Sequence, residues 1–178
     1  MRKEYNDMKT LVVSDTHFNH GNVILYSNRP YSSVEEMNEA LIANWNSVVG
    51  PEDVVICLGD FSLGKKEDIP AIVARLNGTK VLVRGNHDRS KSFYEKCGFS
   101  FVCNDMEYTP LSGRNNRPII FSHHPRLGMS VDEVNIHGHI HEKELDETFD
   151  HNRYFNASVE NINYTPIDLQ EIIKQKGW

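Results

Sequence analysis

Cysteine is scarce in this sequence, and the few cysteines form no recognisable pair. The 178 residues include three, Cys57, Cys97 and Cys103, without a CxxC spacing. An odd number of cysteines argues against a disulfide framework, and the spacing argues against a zinc site built from thiolates. We therefore expect a protein of a reducing compartment, the cytoplasm.

Long apolar runs and an excess of positive charge are also missing. The N-terminal sequence MRKEYNDMKTLVV holds an apolar run that is far too short for a signal peptide or a membrane span. The formal net charge is −6, which gives no strong signal for nucleic-acid binding because phosphate contacts need clustered lysine and arginine. Since no repeat or low-complexity linker divides the chain, we expect a single domain over residues 1–178.

Histidine, in contrast, is abundant, with nine residues. Three of them stand at alternate positions in HGHIH, residues 137–141. In an extended strand these side chains would share one face, where crowded imidazoles are costly unless something coordinates or hydrogen-bonds them. Most histidines also lie near Asp, Asn or Gly, which is a first indication of a metal site.

The first half of the chain alternates predicted strands and helices. Strands are predicted over 10–15, 53–60 and 80–88, and helices over 33–49 and 69–77, from short apolar runs and from apolar residues at helical spacing. Such alternation predicts parallel strands.

The second half is richer in strands. They are predicted over 100–105, 117–124, 133–141 and 153–160, and a last helix is predicted from Thr165-Pro166 to about Lys176, with proline in the favoured first position. Together the two halves predict an α/β fold in which two mixed β-sheets pack as a sandwich flanked by helices.

Residues that can bind metals or transfer protons lie at the carboxyl ends of the predicted strands. These segments are Asp15-Thr16-His17, Gly59-Asp60, Gly85-Asn86-His87-Asp88, His123-His124 and Gly138-His139-Ile140-His141. In α/β sheets ligands bind at that edge. Each segment alone is commonly a turn or a helix cap, but five in one chain are hard to explain in that way.

The ordered set DTH, GD, GNHD, H and GHIH resembles the calcineurin-like metallophosphoesterases, whose pattern is D-x-H, G-D, G-N-H-D/E, a lone H and G-H-x-H. The resemblance spans residues 15–141. Outside these blocks, DTHFNHGNVI, RPYSSVEEMNEALIANWN and NYTPIDLQEI resemble a small single-domain branch from bacteria and phages. This resemblance implies a four-layer metallophosphoesterase-like fold without a cap domain.

The resemblance also implies two divalent metal ions bound by seven side chains. The first ion would take Asp15, His17, Asp60 and His141, and the second would take Asp60, Asn86, His123 and His139. The Asp60 carboxylate would bridge ions about 3.5–4 Å apart. His139 and His141, about 6.6–6.8 Å apart along a strand, would each reach a different ion. Oxygen and imidazole ligands suit Mn²⁺, which we expect, and also Fe, Zn²⁺ or Ni²⁺.

Two further residues of the GNHD block are candidates for catalysis. In the resemblance a hydroxide that bridges the two ions attacks phosphorus, and His87 stabilises the transition state or protonates the leaving oxygen. Asp88 either orients His87 or closes the turn.

Three residues are candidates for substrate binding: His20, Arg89 and His124. His124 competes with His123 for the lone-histidine position, and we expect His123 to be the ligand and His124 to face substrate. His137 has no place in the ligand set, so a hydrogen bond to a ligand or a packed strand position is expected for it.

The predicted function is hydrolysis of a small phosphate ester, with a preference for phosphodiesters such as nucleotide-like or cyclic ones. A phosphomonoesterase or a nuclease could use the same site, although no basic track supports the nuclease. The third alternative is a metal-binding module without catalysis.

Overall fold

Two β-sheets organise the part of the chain that the computed structural model describes, residues 8–109 and 117–178. Residues 1–7 of the N-terminal segment lie outside the described residues. In chain order the elements are β1 (Thr10–Val13), α1 (Gly21–Tyr26), α2 (Val34–Val48), β2 (Val54–Cys57), α3 (Ile69–Arg75), β3 (Thr79–Val83), α4 (Lys91–Cys97), β4 (Phe101–Cys103), β5 (Asp105–Tyr108), β6 (Ile119–Ser122), β7 (Val134–His137), β8 (Tyr154–Asn156), β9 (Ile167–Asp168) and α5 (Leu169–Lys176). None of the helices among the described residues is long and apolar enough to cross a membrane.

The first sheet has five strands in the order β4-β3-β2-β1-β9. Strands β1 to β3 are parallel, as predicted, β4 also runs parallel to β3, and β9 is antiparallel to β1 at the edge. Helix α2 begins after Ser33, whose hydroxyl accepts a hydrogen bond from the Glu36 N–H (3.1 Å). Its residues Met37, Leu41 and Trp45 are buried at helical spacing, as the pattern predicted.

The second sheet has the order β5-β6-β7-β8, in which only β5 runs antiparallel to its neighbour. The fold class is therefore confirmed: an α/β fold with two mixed sheets. The strand predicted over 100–105 is wrong in one respect, because β4 pairs in the first sheet and β5 in the second. The chain passes from one sheet to the other at Asn104.

The last helix begins later than predicted. Pro166 was expected in its first turn, but Ile167 and Asp168 are extended and pair with Val12 and Leu11 of β1. The helix then starts at Leu169, and the Asp168 carboxylate caps it by accepting from the Gln170 N–H (2.8 Å). The open edge of β1 provides hydrogen-bond partners for two residues that a local pattern assigns to the helix.

Alternating residues of the first sheet face two separate cores. Leu11 and Val13 pack in the core on the helical side. Val12 packs in the core between the sheets, together with Ile56, Phe121 and Ile136. This packing brings the carboxyl ends of β1, β2 and β3 close to those of β6 and β7, where the predicted ligands lie.

Candidate metal centre

Asp15 and His17 follow β1 in an unusual backbone conformation. Both are buried, and both have positive φ angles, 56° and 49°. Such a conformation costs a non-glycine residue about 1–3 kcal/mol, and it concentrates at functional sites. Asp15 Oδ2 accepts hydrogen bonds from the His139 N–H (2.8 Å) and the Ser158 hydroxyl (2.9 Å). The surrounding loops thus fix this carboxylate.

Asp60 lies at the middle of the cluster. Its Oδ2 is 3.5 Å from His123 Nε2, 3.7 Å from His17 Nε2 and 4.0 Å from His87 Nε2. Its Oδ1 accepts from the His87 N–H (2.9 Å). Burial would raise the pKa of Asp60, but the hydrogen bonds from His123 and the His87 N–H outweigh it and hold the pKa at about 2.

Two glycines permit the close approach of the loops. A Cβ on Gly85 would collide with the Asp60 carboxylate, and a Cβ on Gly138 would collide with the Ser14 hydroxyl and the Asp15 carboxylate. Glycine is therefore required here for space, whatever its backbone preference.

The GHIH segment is not a strand, which corrects the prediction over 133–141. Strand β7 ends at His137, and His139 and His141 adopt positive φ angles of 70° and 52° in a turn. The spacing expected along an extended strand therefore does not apply. In this turn the His139 N–H donates to the Asp15 carboxylate.

The turn directs the two imidazoles into different groups. His141 Nε2 is 3.9 Å from Asp15 Oδ1, and its ring stacks on His17 at a centroid distance of 5.1 Å. His139 Nδ1 is 3.2 Å from His123 Nε2, which is itself 3.0 Å from Asn86 Oδ1. The seven predicted ligands are thus brought together around Asp60.

The ring nitrogens of His123 are distinguished by their partners. Nδ1 is 2.8 Å from the Leu58 carbonyl oxygen, which can only accept, so Nδ1 carries the hydrogen. In the neutral ring Nε2 then keeps a lone pair that can bind metal, and in the protonated ring Nε2 donates to Asp60.

The histidine pKa values fall into two groups. Burial lowers the pKa of His17 to about 2, and burial followed by the nearby His124 and His123 lowers that of His139 to about 4. Both are therefore neutral imidazoles at neutral pH, the form that binds metal. Burial would also lower the pKa of His123 and His141, but hydrogen bonds with Asp60 and Glu160 outweigh it and raise both.

These residues fit metal ions. Among the described residues, four groups of possible ligand atoms lie within 4.8 Å of one another. Three of them are Asp15, His17 and His141; Asp15, Asp60 and His123; and His123, His124 and His139. The fourth joins His141 to Glu142 and Glu160. Asp15 Oδ1 and His17 Nε2 are buried and lack a hydrogen-bond partner among the described residues. A buried polar atom without a partner is costly, and a cation would satisfy both.

The family model for calcineurin-like phosphoesterases matches residues 8–175. The chain belongs to this family. A protein of Methanocaldococcus jannaschii, named as uncharacterised, is 43% identical over 178 residues, which cover 95% of this chain and 93% of that protein. The gene 66 protein of Mycobacterium phage D29 is 27% identical over 83% of this chain and 85% of its own length.

The fold also occurs in a crystal structure of a protein of unknown function from Aquifex aeolicus. It is 26% identical, has a TM-score of 0.76, and the match covers 95% of this chain and all of that one. Family membership supports metal-dependent hydrolysis of phosphate esters in general, and the names of these relatives specify no substrate.

The predicted substrate-binding residues of this phosphoesterase differ in position. His124 is exposed, with its ring centroid 3.8 Å from that of His139. His20 Nδ1 is 3.2 Å from His17 Nδ1. Arg89 donates to the Gly64 carbonyl (3.2 Å) and lies over the Phe93 ring. Its contacts are therefore with the loop that contains Gly64 and with helix α4. His124 and His20 therefore border the ligands directly.

The two candidate catalytic residues of the GNHD block differ in exposure and in hydrogen bonding. The His87 side chain is 48% exposed at the mouth of the site. The Asp88 carboxylate is buried and accepts four hydrogen bonds, from the N–H groups of Asp60, Phe61 and Gly85 and from the Tyr94 hydroxyl. These contacts favour the loop-closing role for Asp88 over the orientation of His87.

Two buried charged residues beside the site were missed by the sequence reading. Glu160 Oε1 is 2.9 Å from His141 Nδ1, and Arg29 Nη2 is 2.7 Å from the Asp15 carbonyl oxygen. They lie in the segments RPYSS and NASVEN, whose charged residues resemble ordinary surface positions. No local signal in either segment indicates that the fold brings them together.

Proposed function

We propose that the chain hydrolyses small phosphodiesters, nucleotide-like or cyclic, at a centre of two divalent metal ions. The observation that carries the proposal is the position of Asp60, whose Oδ2 lies between His17 Nε2 (3.7 Å) and His123 Nε2 (3.5 Å). A single carboxylate shared by two groups of imidazoles can bridge a pair of adjacent cations.

The proposed ligands are the seven side chains expected from the resemblance. One ion takes Asp15, His17, Asp60 and His141, and the other takes Asp60, Asn86, His123 and His139. Mn²⁺ is the expected metal, with Fe, Zn²⁺ and Ni²⁺ as alternatives. When bound, the ions would lower the pKa of water to about 7 and neutralise the phosphoryl oxygens. Since only two carboxylates offset two divalent cations, the centre stays positive and attracts a phosphate ester.

His87 is the proposed acid for the leaving oxygen. Its backbone N–H donates to Asp60 Oδ1 (2.9 Å), which holds the residue beside the shared carboxylate, while its ring remains half exposed where substrate would arrive. An exposed imidazole can regain its proton from water after each turnover.

His20 is a proposed donor to substrate. If His17 binds metal through Nε2, its Nδ1 carries the hydrogen and donates to His20 Nδ1 (3.2 Å). The neutral His20 ring then carries its own hydrogen on Nε2, available to a phosphoryl oxygen. His124, exposed and packed against His139, is proposed to contact substrate from the other side.

The preference for nucleotide-like diesters rests on the surroundings of the site. Tyr26 is 73% exposed, and its ring centroid lies 6.4 Å from that of His20. An exposed aromatic ring at the rim can stack on a base. We further propose a single domain without a cap, which leaves the site open to a diester with groups on both sides of phosphorus.

The test is a substrate panel with elemental analysis of the same sample. The purified protein with Mn²⁺ is assayed against bis-p-nitrophenyl phosphate, p-nitrophenyl phosphate, 2′,3′-cyclic nucleotides and a single-stranded oligonucleotide. We expect two ions per chain and faster turnover of the diesters and cyclic nucleotides. Faster turnover of the monoester would contradict the diester preference, and faster turnover of the oligonucleotide would contradict a small substrate. No turnover with both ions bound would contradict catalysis.

A further inference from the structure

A buried ion pair lies behind His141, outside the proposed ligand set. Arg29 Nε and Nη2 donate to Glu160 Oε1 at 2.9 and 2.7 Å, and His141 Nδ1 lies 2.9 Å from the same oxygen. The side chains of Arg29 and Glu160 are 0% and 5% exposed. One carboxylate oxygen is therefore shared by a guanidinium and an imidazole in a place that excludes water.

The contact with Glu160 decides which nitrogen of His141 carries the hydrogen. A carboxylate can only accept, so the imidazole must donate from Nδ1. In the neutral ring Nε2 then keeps the lone pair, and this atom lies 3.9 Å from Asp15 Oδ1. Histidines that bind metals commonly donate their other N–H to a carboxylate, which fixes the tautomer and the ring orientation.

Arg29 connects this carboxylate to the loop that follows β1. Its Nη2 also donates to the Asp15 carbonyl (2.7 Å), and its Nη1 donates to the Thr16 carbonyl (3.0 Å). The planar guanidinium thus binds Glu160 and the backbone of Asp15 in one rigid arrangement, which a lysine ammonium cannot reproduce. It sets the position of Glu160 relative to the loop that carries Asp15 and His17.

We propose that Glu160 is a positioning residue that holds His141 in the Nδ1–H tautomer with Nε2 directed at the metal ion bound by Asp15, and that Arg29 fixes Glu160 for this task. The inference rests on the proposed metal site. It predicts that the Glu160 carboxylate affects the affinity for one of the two ions more than the affinity for the other. The reason is that the group of His123, His139 and Asn86 has no contact with Glu160 in the described part of the chain.

The test compares Glu160→Gln with Glu142→Gln by calorimetric titration with Mn²⁺ and by elemental analysis. Glu142 is exposed and, with Glu160, lies near His141, so it is a matched control for the loss of one nearby negative charge. We expect Glu160→Gln to weaken one of the two binding events by about 10- to 100-fold and to leave the other unchanged. Glu142→Gln should bind both ions as the wild type does.

Several results would overturn the inference. One is wild-type affinity for both ions in Glu160→Gln, and another is an equal loss in Glu142→Gln. Failure of the wild type to bind two ions would instead contradict the proposed metal centre, on which the inference rests. Arg29→Lys, which keeps the charge, should weaken the same binding event as Glu160→Gln.

A second measurement does not depend on how the variants fold. Long-range ¹H–¹⁵N NMR of the wild-type protein loaded with Zn²⁺ should show His141 with its hydrogen on Nδ1. A hydrogen on Nε2, or no hydrogen on Nδ1, would overturn the proposed role of Glu160, since its oxygen could then not accept from this ring.

Discussion

At the scale of single residues, His87 combines exposure with a fixed backbone. Its N–H donates to Asp60, yet its ring is not among the predicted ligands. We expect His87→Asn to keep both metal ions and to lower kcat by about 10²- to 10⁴-fold, the usual contribution of a general acid. Metal content by elemental analysis and kcat on bis-p-nitrophenyl phosphate check this. Turnover at the wild-type rate would show that another group protonates the leaving oxygen.

Asp60 is the residue whose loss should affect both ions. It supplies the carboxylate oxygen that lies between His17 and His123. We expect Asp60→Asn to weaken the binding of both ions by more than about 100-fold, since a shared ligand charge is lost, and to abolish turnover. Titration with Mn²⁺ measures the affinities for the two ions. A variant that loses one ion alone would mean that Asp60 does not bridge.

Tyr26 tests the proposed substrate class. Its exposed ring lies beside His20, where base stacking is worth about 1–3 kcal/mol. We expect Tyr26→Ala to raise KM for cyclic nucleotides by about tenfold with little change in kcat. Tyr108→Ala is the control, because Tyr108 is also exposed but lies on β5, at the end of the sheet opposite His123. Equal KM values in both variants would exclude a stacking role for Tyr26.

At the scale of elements, the strand ends are joined by side chains from other loops. Asp88 connects the loop after β3 to the loop after β2 through the Asp60 and Phe61 N–H groups. A pattern of apolar residues predicts where β2 and β3 lie, because alternation is a local property. It does not predict these hydrogen bonds, which join residues 27 and 28 positions apart.

Replacing Asp88 should therefore reduce stability more than chemistry. We expect Asp88→Asn to lower the free energy of unfolding by about 2–4 kcal/mol, since several buried donors lose a charged acceptor. Tyr94→Phe, which removes one of the four hydrogen bonds, should cost about 1 kcal/mol. Urea unfolding of the metal-free proteins checks both values. An Asp88→Asn protein that is as stable as the wild type but has a low kcat would favour the alternative, orientation of His87.

Helices α1 and α4 were not predicted, and their sequences explain why. They have six and seven residues, so their helical period is weak. Helix α3 also has seven residues, but it was predicted from an apolar run that ends at Gly78. Their stability comes from packing against the rest of the molecule, which for short helices exceeds intrinsic propensity. Helix α2, with 15 residues, shows its period plainly and was predicted within one residue at each end.

At the scale of the whole molecule, burial of His137 should make stability depend on pH. The ring is fully buried, and burial lowers its pKa to about 4 from 6.5. Between these pH values the unfolded chain binds a proton that the folded chain does not, so stability is lost as the pH falls from 6.5 to 4. The difference corresponds to about 3 kcal/mol from this residue.

The measurement compares the pH dependence of unfolding in three metal-free proteins. His137→Gln should lose less stability than the wild type between pH 6.5 and 4, whatever its stability at neutral pH. His151→Gln, at an exposed position, is the control and should follow the wild type. Identical slopes in wild type and His137→Gln would contradict a neutral buried imidazole at position 137.

The sequence alone determined the fold class, the parallel direction of β1 to β3 and the residue types at the strand ends, because these depend on local periodicity and on short motifs. The tertiary structure decided the turn at residues 138–141 and the joining of Glu160 to His141. The His139 N–H and the Asp15 carboxylate that accepts from it are 124 residues apart. The left-handed conformations that aim Asp15, Asp60 and His141 are unfavourable locally, so only contacts between distant segments can hold them.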